Sequence, residues 1–184
     1  MVRRGGYGRD FGQRLCCYSP ELRGKLEQGG RVWIHAVSVG EFFVALKFMD
    51  ALRDRNPELL FVVANTTSTW YELGQKHVRN PDLVIYFPVD LPRNGARAIS
   101  LIRPTAILLV EAELWPNLIR EARNQRIPLF LVNGRLSDRS FPQYQRVRIF
   151  TRRILPMFDA LCVQGHRDRD RFESLGAPPE RIHV

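Results

Sequence analysis

Short apolar runs rich in branched residues recur along the chain at 32–37, 60–64, 83–87, 106–110, 129–132 and 160–163, with a further candidate near 182–184. They read as continuous apolar stretches rather than alternating ones, which marks strands covered on both faces. Longer amphipathic stretches separate them and predict helices over 41–53, 69–78, 94–102, 116–124, 144–157 and 167–175. Pro116 suits a first helical position, and Gly176 followed by Pro178 and Pro179 suits a helix end. Strand and helix signals in strict alternation predict βαβ units, hence an α/β fold with a Rossmann-like parallel sheet and helices on both faces. Residues 1–30 read as a Gly- and Arg-rich loop with short helices leading into the first strand, and residues 31–184 as the domain itself. No internal repeat or low-complexity segment interrupts it.

Composition adds little to the fold and more to the setting. The 184 residues suit one domain with a continuous core. Hydrophobic residues make up 45% and charged residues 26%, an ordinary globular balance. No run approaches the roughly eighteen apolar residues of a spanning helix, and Met1 to Gly6 lacks the apolar core of a signal peptide. Cys16, Cys17 and Cys162 are odd in number and show no CxxC spacing, which fits a reducing compartment, with Cys162 as a small buried hydrophobe. The net charge is +9, and Lys25, Lys47 and Lys76 are the only lysines. Arginine binds phosphate bidentately, so either an anionic partner or simply a solvated basic surface accounts for the excess. Because the arginines are dispersed and no helix-turn-helix, zinc-finger or RNP-like pattern is present, nucleic acid is not an expected partner.

In open α/β sheets, ligands bind beyond the carboxyl ends of the strands, so those ends hold the candidate chemistry. The first strand runs into Ser38, Gly40 and Glu41, a tight turn with a carboxylate at the start of the next helix. Favourable interaction with the helix dipole is a sufficient explanation for a glutamate there. GxGxxG and the P-loop lysine are both absent. The second strand ends in Asn65-Thr66-Thr67-Ser68-Thr69, more hydroxyls than helix capping needs, and suited to a polyhydroxylated ligand. After the third, Pro88 and Pro92 fix a rigid loop in which Asp90 is expected to cap the following helix. The fourth delivers Glu111-Ala112-Glu113-Leu114-Trp115, two carboxylates and an indole beside an apolar strand, where bare charges need solvent, pairing or a function. The fifth supplies Arg135, suited either to pair with one of these glutamates or to hold a substrate anion.

Taken in order and spacing, Arg4-Gly5-Gly6-Tyr7, Phe11-Gly12-Gln13-Arg14, Trp33 to Glu41, Glu111 to Asn117 and Asn133-Gly134-Arg135-Leu136-Ser137 resemble the amino-terminal domain of bacterial 3-deoxy-D-manno-octulosonic acid (Kdo) transferases. The resemblance covers nearly the whole chain. It implies a GT-B glycosyltransferase of lipopolysaccharide assembly, in which two Rossmann-like domains face each other across a cleft. The amino-terminal domain receives lipid A precursor and the carboxyl-terminal one binds the donor, CMP-Kdo. By the same resemblance Glu41 is the general base and Glu113, or else Glu111, a second functional carboxylate. Ser38, Gly40, Thr66, Thr67, Glu111 and Arg135 are then acceptor-binding positions. No metal ligand cluster is visible, and neither metal nor other cofactor is expected. Ser68 and Trp70 stand where the family pattern has proline and glycine, and Ala112 where threonine is common.

The resemblance also implies work at the cytoplasmic face of the inner membrane, with peripheral attachment to an anionic lipid surface. Residues 144–158, read as one helix, place Val147, Phe150, Ile154 and Phe158 on one side and Arg148, Arg152 and Arg153 on another, an arrangement suited either to that surface or to packing on the sheet. The chain stops beside a last candidate strand, so no donor domain is expected within it, and a separate donor domain would be needed for turnover. A non-catalytic lipid- or partner-binding module is the competing reading. A nicotinamide-binding oxidoreductase domain is disfavoured by the missing glycine fingerprint.

Overall fold

The computed structural model describes residues 11–184; Arg4-Gly5-Gly6-Tyr7 lies outside the described residues. A 3-10 turn at Phe11–Leu15 and helix α1 (Pro20–Glu27) precede the first strand. The order is then β1 (Arg31–His35), α2 (Val39–Arg53), β2 (Leu60–Asn65), α3 (Ser68–His77), β3 (Leu83–Tyr86), α4 (Pro92–Ile102) and β4 (Ala106–Val110). It continues with α5 (Pro116–Asn124), β5 (Leu129–Gly134), α6 (Phe141–Arg146), α7 (Arg148–Ile154), β6 (Ala160–Val163), α8 (His166–Ser174) and β7 (Ile182–His183).

All neighbouring strands pair in parallel, in the order β3-β2-β1-β4-β5-β6-β7. The Rossmann-like α/β architecture expected from the alternation is therefore present, including the short last strand. Successive residues of each strand feed opposite faces. Trp33, Val62, Ile107, Leu109 and Leu131 join the core beneath α4, α5 and α7, whereas Ile34, Phe61, Val63, Leu108 and Val110 join the one beneath α2 and α3. Burial on both faces explains why the strands carry unbroken apolar runs rather than a period of two.

One expected helix differs. Residues 144–157 are not continuous: α6 ends and α7 begins at Val147, and a 3-10 turn at Leu155–Met157 follows. Separate anchors hold the two pieces. Tyr144 Oη donates to the Ala112 carbonyl at 2.7 Å, and the buried Thr151 Oγ1 donates to the Leu175 carbonyl at 2.9 Å. The predicted apolar face is consequently divided. Ile154 and Phe158 are buried, but Val147 and Phe150 are 50% and 45% exposed, alongside Ile149 at 80%.

The expected stop at Gly176 is present in full. Gly176 N donates to the Glu173 carbonyl and Ala177 N to the Phe172 carbonyl, the paired bonds of a Schellman ending, with Gly176 at φ +104. A Cβ at Gly176 would lie 2.6 Å from Arg152 Cγ and 2.9 Å from Arg152 Cα, so the glycine lets α7 and the end of α8 meet. Gly24, exposed in α1, has nothing within 4 Å of such a Cβ. Gly176→Ala is expected to lower stability by about 1–3 kcal/mol, and Gly24→Ala to raise it by about 0.5–1 kcal/mol. Urea midpoints at unchanged m-value check both; equal shifts of one sign would refute the packing argument.

Candidate functional site

The chain runs outward from the central β1 to β2 and β3, crosses back through α4, and resumes on the other side of β1 with β4. At the carboxyl ends of β1 and β4 the connections leave in opposite directions, and a crevice opens between them. Glu41, in the first turn of α2, stands on one side; Glu111 and Glu113, between β4 and α5, stand on the other. Ser38 and Gly40 belong to the turn that carries Glu41. Thr66 and Thr67 lie one strand outward at the end of β2, and Arg135 one strand outward in the opposite direction, after β5. All the predicted site residues therefore share one edge of the sheet.

Glu41 is held by its own helix start. Ser38 Oγ accepts from Glu41 N at 3.1 Å, and Glu41 Oε1 accepts from Ser38 N at 3.2 Å, a reciprocal capping box. Oε2 accepts from Val37 N at 2.8 Å. The residue is 6% exposed and each carboxylate oxygen is fixed by a backbone donor. The Ser-x-x-Glu spacing of residues 38–41 is the sequence signal for this arrangement, a more specific one than a bare dipole interaction. A carboxylate with two backbone contacts retains further lone-pair sites for a ligand hydroxyl.

The opposite wall is acidic and irregular. Glu111 has φ +63 at the end of β4, and Asn133 has φ +55 at the β5 irregularity beside it. Left-handed backbone at two non-glycine residues on adjacent strands is uncommon, and such positions gather at functional sites. The Glu111 carboxyl is pushed above its ordinary value by burial and by the charge of Glu41, opposed by Arg135. Burial first, then Glu41 and Glu111, raises Glu113. The three carboxylates thus interact through space. Arg135 is exposed and, among the described residues, forms no direct ion pair with either glutamate, so the pairing considered from sequence reduces to a longer-range attraction. Among the described residues no group of three or more His, Cys, Asp or Glu side chains is spaced to hold a metal ion.

Beneath the acidic turn lies an aromatic floor that sequence reasoning did not identify as a unit. His35 is fully buried at the end of β1, with its Nδ1 3.1 Å from the Ala64 carbonyl and its ring 3.8 Å from that of Phe87. Burial lowers its pKa to about 3, so the imidazole is neutral. Trp115 meets it edge-on at 5.4 Å and Phe87 at 4.8 Å. Asp90 has a different task from the one expected. Its carboxylate does not cap α4, which follows it, but α5, accepting from Asn117 N at 3.1 Å and Leu118 N at 2.9 Å, while Asn117 Nδ2 donates to its carbonyl at 2.7 Å. The rigid Pro88–Pro92 loop carries Asp90 across to the helix that continues from the acidic turn.

Thr67 stands at the N-cap of α3 and Ser68 and Thr69 open the helix, but the Thr67 side chain makes no capping hydrogen bond; Asn65 Oδ1 accepts from Thr67 N at 3.2 Å instead. Trp70, fully buried, donates from its indole to the Ser38 carbonyl at 3.1 Å and packs on Phe42, tying this turn to the Glu41 turn. Gln13 and Arg14 brace the same edge: Gln13 Oε1 accepts from Tyr86 N at 3.0 Å, and the Arg14 guanidinium donates to the Thr66 carbonyl. The concavity lined by Cys16, Arg23, Glu27, Arg97 and Arg103 is built from α1, α4 and the leading turn, and contains none of the predicted residues.

A doubly wound parallel sheet with an acidic crevice at the reversal of strand order defines an α/β domain of the Rossmann-like class. Consistent with that class, the fold is similar to a UDP-N-acetylglucosamine 2-epimerase from Rickettsia bellii, with a TM-score of 0.52 and 19% identity over 84% of this chain and 44% of that one. The chain belongs to the family described as 3-Deoxy-D-manno-octulosonic-acid transferase (kdotransferase), whose sequence model matches residues 9–184. It is similar to a bifunctional glycosyltransferase/methyltransferase of Fusobacterium nucleatum, 33% identical over 82% of this chain and 24% of the relative. Similar too are 3-deoxy-D-manno-octulosonic acid transferases of Haemophilus influenzae (29% identical, 83% of this chain, 36% of the relative) and Rickettsia bellii (33%, 83% and 37%). The chain thus spans between about a quarter and under two-fifths of the length of these relatives.

A carboxyl whose folded-state pKa is raised binds its proton more tightly when folded, so its contribution favours folding below the ordinary glutamate range and is lost as pH rises through the folded value. Glu113→Gln removes that loss. Its melting temperature is expected to exceed the parent's at neutral pH, with the gap closing on acidification below the glutamate range. A variant less stable than the parent at neutral pH would show that the ionised carboxylate is held by favourable contacts instead.

Proposed function

We propose that this chain supplies the acceptor-binding half of a Kdo transferase, receiving a lipid A precursor in the crevice between β1 and β4. The observation that carries the reading is the arrangement of Glu41 opposite the Glu111–Glu113 turn at the reversal of strand order, in a member of this family. Glu41 is the general base. It takes the proton as the acceptor hydroxyl oxygen bonds to the anomeric carbon of Kdo, and the bond to CMP breaks with its electron pair leaving on the phosphate. Fixed backbone donors on both oxygens support this role by holding the carboxylate in place during the displacement. Glu113, poorly solvated beside two other carboxylates, orients the acceptor hydroxyl or assists the base. The hydroxyls of Thr66 and Thr67 at the end of β2 and the exposed Arg135 extend the site on either side, toward sugar hydroxyls and an acceptor phosphate respectively. CMP-Kdo is bound mainly by a separate donor domain.

The acceptor's setting gives the broken helix segment a partner. Residues 139–158 carry Arg139, Arg146, Arg148, Arg152 and Arg153 and no acidic residue. Val147, Ile149 and Phe150 project from the same stretch. Apolar side chains ringed by arginines suit an anionic bilayer surface, which supports peripheral attachment at the cytoplasmic face of the inner membrane. No helix among the described residues is long and apolar enough to cross a membrane.

Two measurements test these proposals. Titration calorimetry of the chain with a soluble lipid A precursor is expected to give saturable binding that weakens at least about tenfold in Glu113→Ala, a loss of about 1.4 kcal/mol. No binding by a folded chain would refute the acceptor reading. In sedimentation with anionic vesicles, the double variant Ile149→Glu, Phe150→Glu is expected to lose most of its binding, and neutral vesicles to bind neither protein. Unchanged sedimentation would leave that surface without a lipid role.

A further inference from the structure

The segment that carries Glu113 is a short irregular connection between β4 and α5. Glu111 N donates to the Val132 carbonyl at 2.9 Å, the last ladder bond of β4, and Trp115 O accepts from Ile119 N at 2.9 Å as α5 begins. Between them the chain makes a turn at Glu111 and Ala112, and among the described residues one side-chain hydrogen bond reaches the backbone of Ala112, Glu113 and Leu114: the one from Tyr144 Oη to the Ala112 carbonyl, at 2.7 Å. A turn that leaves its strand through a left-handed residue and stacks two carboxylates near a third is under electrostatic pressure to open toward solvent. One directional bond from a half-buried phenol opposes that opening.

We infer that Tyr144 is a positioning residue, whose hydroxyl holds the Glu111–Glu113 turn closed against the crevice so that Glu113 faces Glu41. Tyr144 reaches the turn from α6, outside the β4–α5 connection, so the sheet does not set this contact. Burial first, and then the charge of the nearby Glu113, raises the pKa of its phenol above the ordinary value. The groups facing Glu113 are therefore Glu41 from α2, Glu111 from the end of β4 and Tyr144 from α6, with Arg135 acting on Glu111. Because α6 runs into the arginine-rich segment bearing Ile149 and Phe150, the same hydroxyl links that exposed surface to the acidic turn.

The importance assigned to the residue rests on the proposed role of the carboxylates; the hydrogen bond and its effect on Glu113 do not. The test therefore uses a readout independent of any ligand, the carboxyl titration of the full chain labelled with 13C at glutamate side chains. In Tyr144→Phe the ring remains and the hydroxyl is lost. The turn relaxes, and the Glu113 midpoint is expected to fall measurably toward the ordinary glutamate range. A residue that merely fastened α6 to the domain would lower the melting temperature and leave Glu113 where it was, which would overturn the inference. Should Y144F fail to fold, Glu113→Gln with labelled tyrosine reads the same contact in reverse. Removal of the charge is expected to lower the Tyr144 midpoint, and an unmoved phenol would equally overturn it.

Discussion

Three like charges gathered at the reversal of strand order are a constraint that the surrounding structure must satisfy. Glu41, Glu111 and Glu113 occupy the two lips of the crevice, and burial raises the cost of ionising the two on the β4 side. Such a group persists only if the surrounding structure over-determines it. The parallel sheet contributes most of that constraint, because β1 and β4 are neighbours in register, His35 opposite Leu109, and deliver their turns side by side. The remainder comes from polar contacts that cross between connections: Trp70 to Ser38, Asp90 to the start of α5, and Tyr144 to Ala112.

Much of the scaffold was legible because apolar burial on both faces leaves a direct trace in sequence. The runs around Val32, Leu60, Leu83, Ala106, Leu129 and Ala160 became strands, and the glycine at 176 ended its helix as its φ +104 requires. Features set by contacts between distant segments were not legible. Asp90 caps α5 through Asn117 and Leu118, twenty-seven and twenty-eight residues ahead, because the proline loop swings back across the sheet edge, and nothing local distinguishes that partner from the adjacent helix. The break at Val147 depends on Thr151 reaching Leu175 and Tyr144 reaching Ala112, two tertiary bonds that helical periodicity cannot report. The carboxylates at 41, 111 and 113 were visible as chemistry, since charges beside an apolar strand demand explanation. Their mutual interaction required the order of strands in the sheet.

The aromatic floor shows how the fold keeps a polar crevice above an apolar core. His35 ends β1 at the level where its neighbours are fully buried, and burial keeps the imidazole neutral. Its ring, Phe87 and Trp115 form a continuous surface drawn from the ends of β1, β3 and the acidic turn. The turn bearing Glu113 is thereby supported from below by Trp115 packing and from the side by a tyrosine hydroxyl.

The two acidic walls differ in how firmly they are set, and the difference bears on which residue suits which task. Glu41 belongs to a helix terminus whose own backbone amides grip both oxygens, so its position follows from forming α2 at all. Displacing it would cost the helix its cap. Glu113 sits in an irregular turn secured by a long-range contact, where a small displacement changes solvation, distance to Glu41 and charge state together. A group that must accept a proton along one fixed line benefits from the first arrangement. A group whose charge state responds to its solvation fits the second. The fold thus sets a carboxylate gripped by backbone amides opposite one carried on an irregular turn, across a single crevice, on connections that leave the sheet in opposite directions.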